Sequence, residues 1–445
     1  MVIARRGGQV APPGPGGRAR LSRWAIGFLV IGAPVMLGLY YLSGLKPFLY
    51  AMYAGLSLLL LSSVRQMIAD RSARPVHKWY AALSAVLVLM TGLALATPGA
   101  AVDHQKMGAL LLCICWCGTL FSVYGHVRLT GDSRPALAAF RAAAVVLTGS
   151  VYASAGLWLL GIEFGEVLDF GDSIRAFGPL GDQVAFVLVL FVLTSVAHGA
   201  WLSTAVHAGA LLLTATRGAL VCLLVGLAVL NLLPGRQRSR MRAVRSAAAA
   251  VVVGLLLLSP AGAVMVERLL TDDPRSRYGG RLQAIETGLE VVRQHPVTGV
   301  GFYGFEQARW AVYESAFVDH FTDRSFATTA NQLVQTATDG GLFALLMLVG
   351  LCVAALRTAW SHPRLTDSHS RKLYAGFAAW VIAVLIGNQS APWLLPDATL
   401  GYFLMAAIGF LEATRQMDVV SPGPGGQPPV RRLVRDERAS PGRVA

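Results

Sequence analysis

Charge is scarce in this chain. Only 14% of its 445 residues are Asp, Glu, Lys or Arg, while 55% are hydrophobic and the mean hydropathy is +0.56. Soluble domains carry about a quarter charged residues, so an ordinary soluble domain is excluded. Cysteine is scarce too. Cys113, Cys115, Cys117, Cys222 and Cys352 all lie in apolar runs, with no zinc or haem spacing in a polar segment. They read as small buried hydrophobes, which excludes a disulfide scaffold and a cysteine metal site. The sequence also lacks HExxH, a carboxylate cluster, a Walker loop and a nucleophile elbow. No metal and no cofactor is expected.

What is present is a series of apolar runs of about 17–20 residues, the length that crosses a bilayer. In lipid each segment must satisfy its own backbone groups, so helices are the default. The fold expected is an all-α integral membrane protein with about twelve transmembrane helices. The candidate spans are 24–43, 48–64, 79–97, 107–125, 142–160, 183–199, 203–216, 218–233, 246–263, 341–358, 373–388 and 397–414. The shortest, 203–216, reads as a tilted or broken helix. Five regions follow: a disordered tail at 1–23, helices one to nine over 24–266, a large polar loop at 267–340, helices ten to twelve over 341–414, and a disordered tail at 415–445. A cleaved signal peptide is not expected, because the first apolar run is too long for one.

The formal net charge is +14. In a soluble protein this would raise nucleic-acid binding. Here the basic residues sit in tails and short loops, where they meet membrane lipids and orient the spans, so no nucleic-acid partner is expected. With twelve spans, Arg18–Arg23, Arg65–Lys78, His126–Arg141, Arg236–Arg245, Arg364–Lys372 and Arg431–Arg443 all fall on the side of both termini. The positive-inside rule makes that side cytoplasmic. His198 and His207 fall near it. The loop 267–340 then lies outside the cytoplasm, as does an acidic segment at 161–182 with Glu163, Glu166, Asp169, Asp172 and the lone Arg175.

Four constellations could carry chemistry. Thr214-Ala-Thr-Arg217-Gly218 sets an arginine at the outer junction of two apolar runs. It reads as a phosphate clamp in a tight polar break or as an arginine snorkelling to headgroups. Arg275, Arg277 and Arg281 suit a diphosphate leaving group, or form surface ion pairs with the nearby acids. From Arg281 to Gln294 an apolar stripe of Leu282, Ile285, Leu289 and Val292 predicts a helix that Pro296 ends, with His295 at its terminus. Gly299-Val-Gly301-Phe-Tyr-Gly304 is literally GxGxxG. It has no strand–helix–strand setting for a dinucleotide, so it reads as a re-entrant or plain turn. Asn331 and Asp339 precede the tenth span, Asp339 as its cap. In the loop, His320 beside Asp319 and Asp323 could act as a general base, or be a solvated loop residue.

The order of these features resembles the bacterial O-antigen ligase and O-antigen polymerase superfamily. The resemblance rests on the Thr-Arg217-Gly junction, Arg281 followed by Pro296-Val-Thr-Gly-Val-Gly301, and Asn331-Gln-Leu followed by Asp339-Gly-Gly. It is specific over about residues 200–360 and topological elsewhere. It implies twelve spans, a catalytic periplasmic loop in a bacterial inner-membrane protein, and no metal or nucleotide. It implies an undecaprenyl-diphosphate-linked glycan donor and a lipid or glycan acceptor. Arg217 and Arg281 would bind the donor diphosphate, and His320 is the candidate base. Arg275, Arg277, Gly299, Gly301 and Asn331 would line the donor site. Ligases of this kind carry His-Asn where this chain has Ala330-Asn331, which tilts the expectation from ligation toward polymerisation. The alternatives are a polytopic transporter and a non-catalytic member of the same superfamily.

Overall fold

The structure is a computed structural model. It describes residues 116–128, 133–169, 174–233 (except 180 and 182), 277–301, 331–361, 368–387 and 398–418, with isolated positions such as 304, 305, 308 and 329 and a few between 32 and 58. Of Arg217, Arg277 and Arg281 it describes the backbone. The expected spans 79–97 and 246–263 lie outside the described residues, as do the tail 1–23 and residues 419–445, whereas 415–418, expected as disordered tail, continue the last helix to Asp418. Residues 116–128 are helical. The labelled elements are α1 (Arg134–Leu159), β1 (Glu166–Asp169), β2 (Ile174–Gly178), α2 (Val184–His198), α3 (Trp201–Leu213), α4 (Arg217–Leu232), α5 (Arg277–Gln294), α6 (Gln332–Trp360), α7 (Ser368–Gly387) and α8 (Ala398–Asp418).

The described residues are mostly helical. Among them two helices, Ala136–Leu159 within α1 and Gln332–Trp360, are long and apolar enough to cross a membrane. Val184–His198, Trp201–Leu213 and Gly218–Leu232 are apolar but shorter. The 15 residues of α2 rise about 22 Å, less than the ~30 Å hydrocarbon core. Their burial explains how they serve. α2 is apolar on every side, and α3, α4 and α7 pack around it, which is the place of a helix with no polar face. The contacts are close because small residues admit them. A Cβ added at Gly376 of α7 would come within 2.8 Å of Thr194 Cα. Trp380 Nε1 donates across the same interface to the Phe186 carbonyl at 2.7 Å. The outer faces carry bare apolar side chains, Leu202 at 82% and Leu160 at 74% exposure. Such a surface fits a hydrocarbon solvent and not water.

One end of the bundle is basic and tied by polar bonds. Tyr124 and Arg128 both donate to Gln416 Oε1, at 2.8 and 2.7 Å. The fully buried Glu412 accepts from Thr358 Oγ1 at 3.0 Å and from Arg415 Nη2 at 2.9 Å. Tyr374 donates to the Thr358 carbonyl at 2.5 Å. These bonds bring the end of the 116–128 helix, the ends of α6 and α8 and the start of α7 together. The start of α6 therefore points the other way. So do the second half of α1, where Gly178 meets Ser150, and the α3–α4 junction, since α3 runs antiparallel to α2.

Several sequence expectations are corrected. The described residues are not all helical: β1 and β2 form an antiparallel hairpin within 161–182, pairing Val167 with Ala176 and Leu168 with Arg175. Val167, Ile174 and Phe177, bounded by Gly165 and Gly178, carry a strand signal that the acid count obscures. α1 starts at Arg134, not at 142. The tenth span starts at Gln332, not at 341, and its helix is broken at Gly341. α5 starts at Arg277, so Arg281 lies one turn inside the helix and does not open it.

Candidate functional site

α5 supplies one wall of the candidate site, and its packing face is not the one its larger side chains mark. Ala284, Thr287, Gly288 and Val291 are buried, while Leu289 is 54% exposed and Ile285 and Val292 are half-buried. The buried four follow the i, i+3, i+4, i+7 pattern of a packed stripe, made of small residues. The reason is the closeness of the partner. A Cβ at Gly288 would sit 2.6 Å from Val334 Cγ1 and 2.7 Å from Thr329 Cγ2, so the bulkier stripe cannot face α6. Glu290 and Arg293 lie on the outside, bonded at 2.9 Å. That bond holds the Glu290 carboxyl below its usual range.

After α5 the chain folds back onto the break in α6. Gly341 has φ 71° and ψ −174°, a conformation open to glycine and closed to other residues. A break here strips the preceding carbonyls of their helical partners, and buried backbone groups must find others. The turn after Pro296 provides them. Val300 N–H donates to Thr338 O at 2.8 Å and Gly301 N–H to Asp339 O at 2.9 Å. In return Leu342 N–H donates to Pro296 O at 2.8 Å. The two glycine motifs seen in the sequence are thus halves of one joint. Gly299, at φ 64°, lies against the Thr338 and Asp339 backbone, and a Cβ at Gly341 would collide with the Val297 carbonyl.

The same bonds bear on the GxGxxG run. The amides of Gly299 and Gly304 donate to His295 O and Gly301 O, so with Val300 and Gly301 the described amides of the turn are engaged within the protein. Gly299 and Gly301 thus shape the turn and do not offer their own N–H groups to a ligand. His295 does stand at the helix end, donating its own N–H to Val291 O.

Polar side chains brace the joint. Asn331 caps α6, its Oδ1 accepting from Leu333 and Val334 N–H at 2.9 and 3.1 Å. Asp339 is therefore not the cap. It lies inside the helix, buried, and accepts from Gln335 Nε2 at 2.9 Å. Gln335 Oε1 in turn accepts the Thr329 N–H at 2.8 Å. This chain ties the strand of backbone that arrives at α6 to the residue just before its break. Gln335, Thr338 and Thr329 escaped the sequence reading. Their signal was there: polar residues at i, i+3 and i+4 within 332–339, the spacing of one buried helix face.

The Arg217 junction is a three-residue turn between α3 and α4. Ala215 has φ 46°, a left-handed conformation that is strained for a residue with a Cβ. Thr214, fully buried, bonds Leu211 O through Oγ1 at 2.7 Å, and Thr216 is extended ahead of Arg217. Arg217 is thereby fixed as the first residue of α4, at the end of the bundle that also holds the start of α6 and the α5 wall bearing Arg277 and Arg281. Arg275 and His320 lie outside the described residues, as does Ala330. Among the described residues there is no group of three or more His, Cys, Asp or Glu placed to hold a metal ion.

Residues 199–349 match the family Wzy_C, described as O-antigen ligase. The match runs from the end of α2 through the Arg217 junction, α5 and the joint into α6, and it supports the resemblance to the O-antigen ligase/polymerase superfamily. No match is found among curated proteins. With the apolar helices, the similarity to Wzy_C points to a bacterial membrane protein.

Proposed function

We propose, on the premise of that family match, that the protein is a glycosyltransferase acting on undecaprenyl-diphosphate-linked glycan at the outer face of the cytoplasmic membrane. The carrying observation is that the Arg217 turn, α5 and the glycine joint lie toward one end of the bundle, within the matched stretch 199–349. Arg217 and Arg281 grip the donor diphosphate, with Arg275 and Arg277 beside them. Guanidinium forks suit that geometry and stabilise the charge that develops as the diphosphate departs. An acceptor hydroxyl attacks the anomeric carbon. The new C–O bond forms as the bond to the diphosphate breaks, and the electron pair leaves with the lipid diphosphate. His320 takes the hydroxyl proton. A single displacement inverts the anomeric centre. The joint holds α5 against the polar start of α6, ahead of its break, and on this reading a lipid-anchored donor reaches Arg281 from the apolar half beyond the break.

Ala330 stands where ligases of this kind have histidine, and this favours polymerisation of lipid-linked repeats over ligation. The test is incubation of the purified protein with an undecaprenyl-diphosphate oligosaccharide, followed by mass analysis. Products longer by whole repeats on the same lipid support polymerisation. Transfer only when a distinct acceptor is added supports ligation. Unchanged donor in both reactions defeats the proposal.

A further inference from the structure

The basic end of the bundle, away from the proposed glycan site, holds a cavity of about 410 Å³. It lies between the first half of α1, the second half of α2 and the first half of α3, with the start of α7 behind it. Phe140, Phe191 and Phe377 line it, Phe140 and Phe377 meeting edge to face at 4.7 Å. Its polar lining is Arg141, Thr194, Ser195, His198, Ser203 and His207. Both imidazoles are fixed in place. His198 Nδ1 donates to Thr194 O at 2.9 Å, and His207 Nδ1 pairs with Thr148 Oγ1 at 2.8 Å, which leaves His207 Nε2 as the ring nitrogen for a ligand. Val145, Trp201 and Leu202, on the same helices, are exposed, so the cavity opens beside a bare apolar surface.

The size falls in the ~300–1,000 Å³ range of ligand sites, which are mostly apolar with a few fixed polar groups. The lining divides by chemistry: aromatic walls for hydrocarbon, and a guanidinium with imidazoles for an anion. A sugar would leave hydroxyls without hydrogen-bond partners along the Phe140, Phe191 and Phe377 walls. An amphiphile with an anionic head satisfies both parts, and the apolar rim gives it a lateral route from the bilayer. The cavity sits at the end where Arg128, Arg134 and Arg415 also gather, the end that faces the anionic leaflet under the positive-inside rule. We propose that this cavity binds an anionic phospholipid of the membrane, its phosphate held by Arg141, His198 and His207 and one acyl chain lying along Phe140, Phe191 and Phe377.

The test uses the full-length purified protein in detergent and a phosphatidylglycerol carrying a photoactivatable diazirine in one acyl chain. After irradiation, peptide mass spectrometry maps the adducts. Labelling within 137–145 and 200–207 is expected, at least about fivefold above that of the matching phosphatidylcholine, the ratio one basic side chain contributes to anionic-lipid binding. Arg141→Gln should erase that headgroup preference. Ala144→Trp, which fills the cavity, should remove labelling there; Ser203→Trp fills the same space should the first variant fail to fold, as judged by size and thermal midpoint. Equal labelling by the two lipids, labelling confined to other helices, or labelling indifferent to a folded filled-cavity variant overturns the proposal. So does stronger competition by undecaprenyl phosphate than by unlabelled phosphatidylglycerol, which would make this a site for the carrier lipid. None of these readings depends on glycan transfer, so failure here and failure of the glycosyltransferase reading are separate results.

Discussion

The amide of Leu342 donates to the carbonyl of Pro296 at 2.8 Å, across a break in a helix long and apolar enough to cross a membrane. This bond and its two neighbours exist only because Gly341 leaves the helical conformation. Gly341→Ala forces a side chain into a glycine-only region and against the Val297 carbonyl. The strain is worth about 1–3 kcal/mol. We expect a lower thermal midpoint in detergent and a fall in glycan transfer of at least about tenfold, since a displacement of about 1 Å at a reacting site has effects of that size or larger. Gly149→Ala is the control, because a Cβ there meets nothing within 4 Å. Equal behaviour of the two variants would show that the joint does not position the site.

Arg217→Ala and Arg281→Ala should each lower transfer by about 10²–10³-fold, the range for loss of one preorganised charge-stabilising donor. Replacement by Lys keeps the charge and loses the fork, so activity should stay well below wild type. Surface glycan in a cell lacking the native protein, with membrane abundance measured by blot, reads the outcome. Wild-type glycan in both alanine variants would remove the enzymatic reading.

Asn331→Ala removes the cap of α6 and should destabilise the protein by about 1 kcal/mol. Asn331→Asp keeps the accepting oxygen and should restore the thermal midpoint. Because Oδ1 already accepts from Leu333 and Val334, the Asp variant should keep a donor KM close to wild type. A raised KM with a normal midpoint would instead put this side chain on the donor.

Glu412→Ala withdraws the acceptor from Thr358, Arg415 and Gln416 at the basic end. Removing the buried carboxylate withdraws one acceptor from three donors at once, at about 2 kcal/mol or more. The thermal midpoint should fall while donor KM is unchanged. A shift in KM without loss of stability would contradict a purely structural role.

Much of the helical framework was legible in the sequence. α2, α3, α4, α7 and α8 fall close to the expected spans because their apolar runs stop abruptly at Gly, Thr, Pro or charge. α6 was misjudged at its start because Gln332 to Asp339 is polar. Hydropathy reads polarity as loop, whereas these side chains are buried by bonding to one another and to the turn. The packed face of α5 is not legible from hydrophobic size, because at Gly288 closeness of approach decides which face packs. The hairpin at 161–182 was hidden by its acids. Within the candidate site, the two glycine motifs and Asn331 were visible, but their union was not, since no local pattern announces which carbonyls a distant turn will satisfy. Asp339 was read as a cap because it precedes a hydropathy boundary; the helix had begun earlier, at Asn331.

Reciprocal pairing at the joint has a thermodynamic consequence. The amides of Val300, Gly301 and Leu342 depend on one another's chain segments, so none can open alone without orphaning a carbonyl elsewhere. Deuterium should therefore enter all three at a common rate, set by a concerted opening in which α5 and its turn lift from α6.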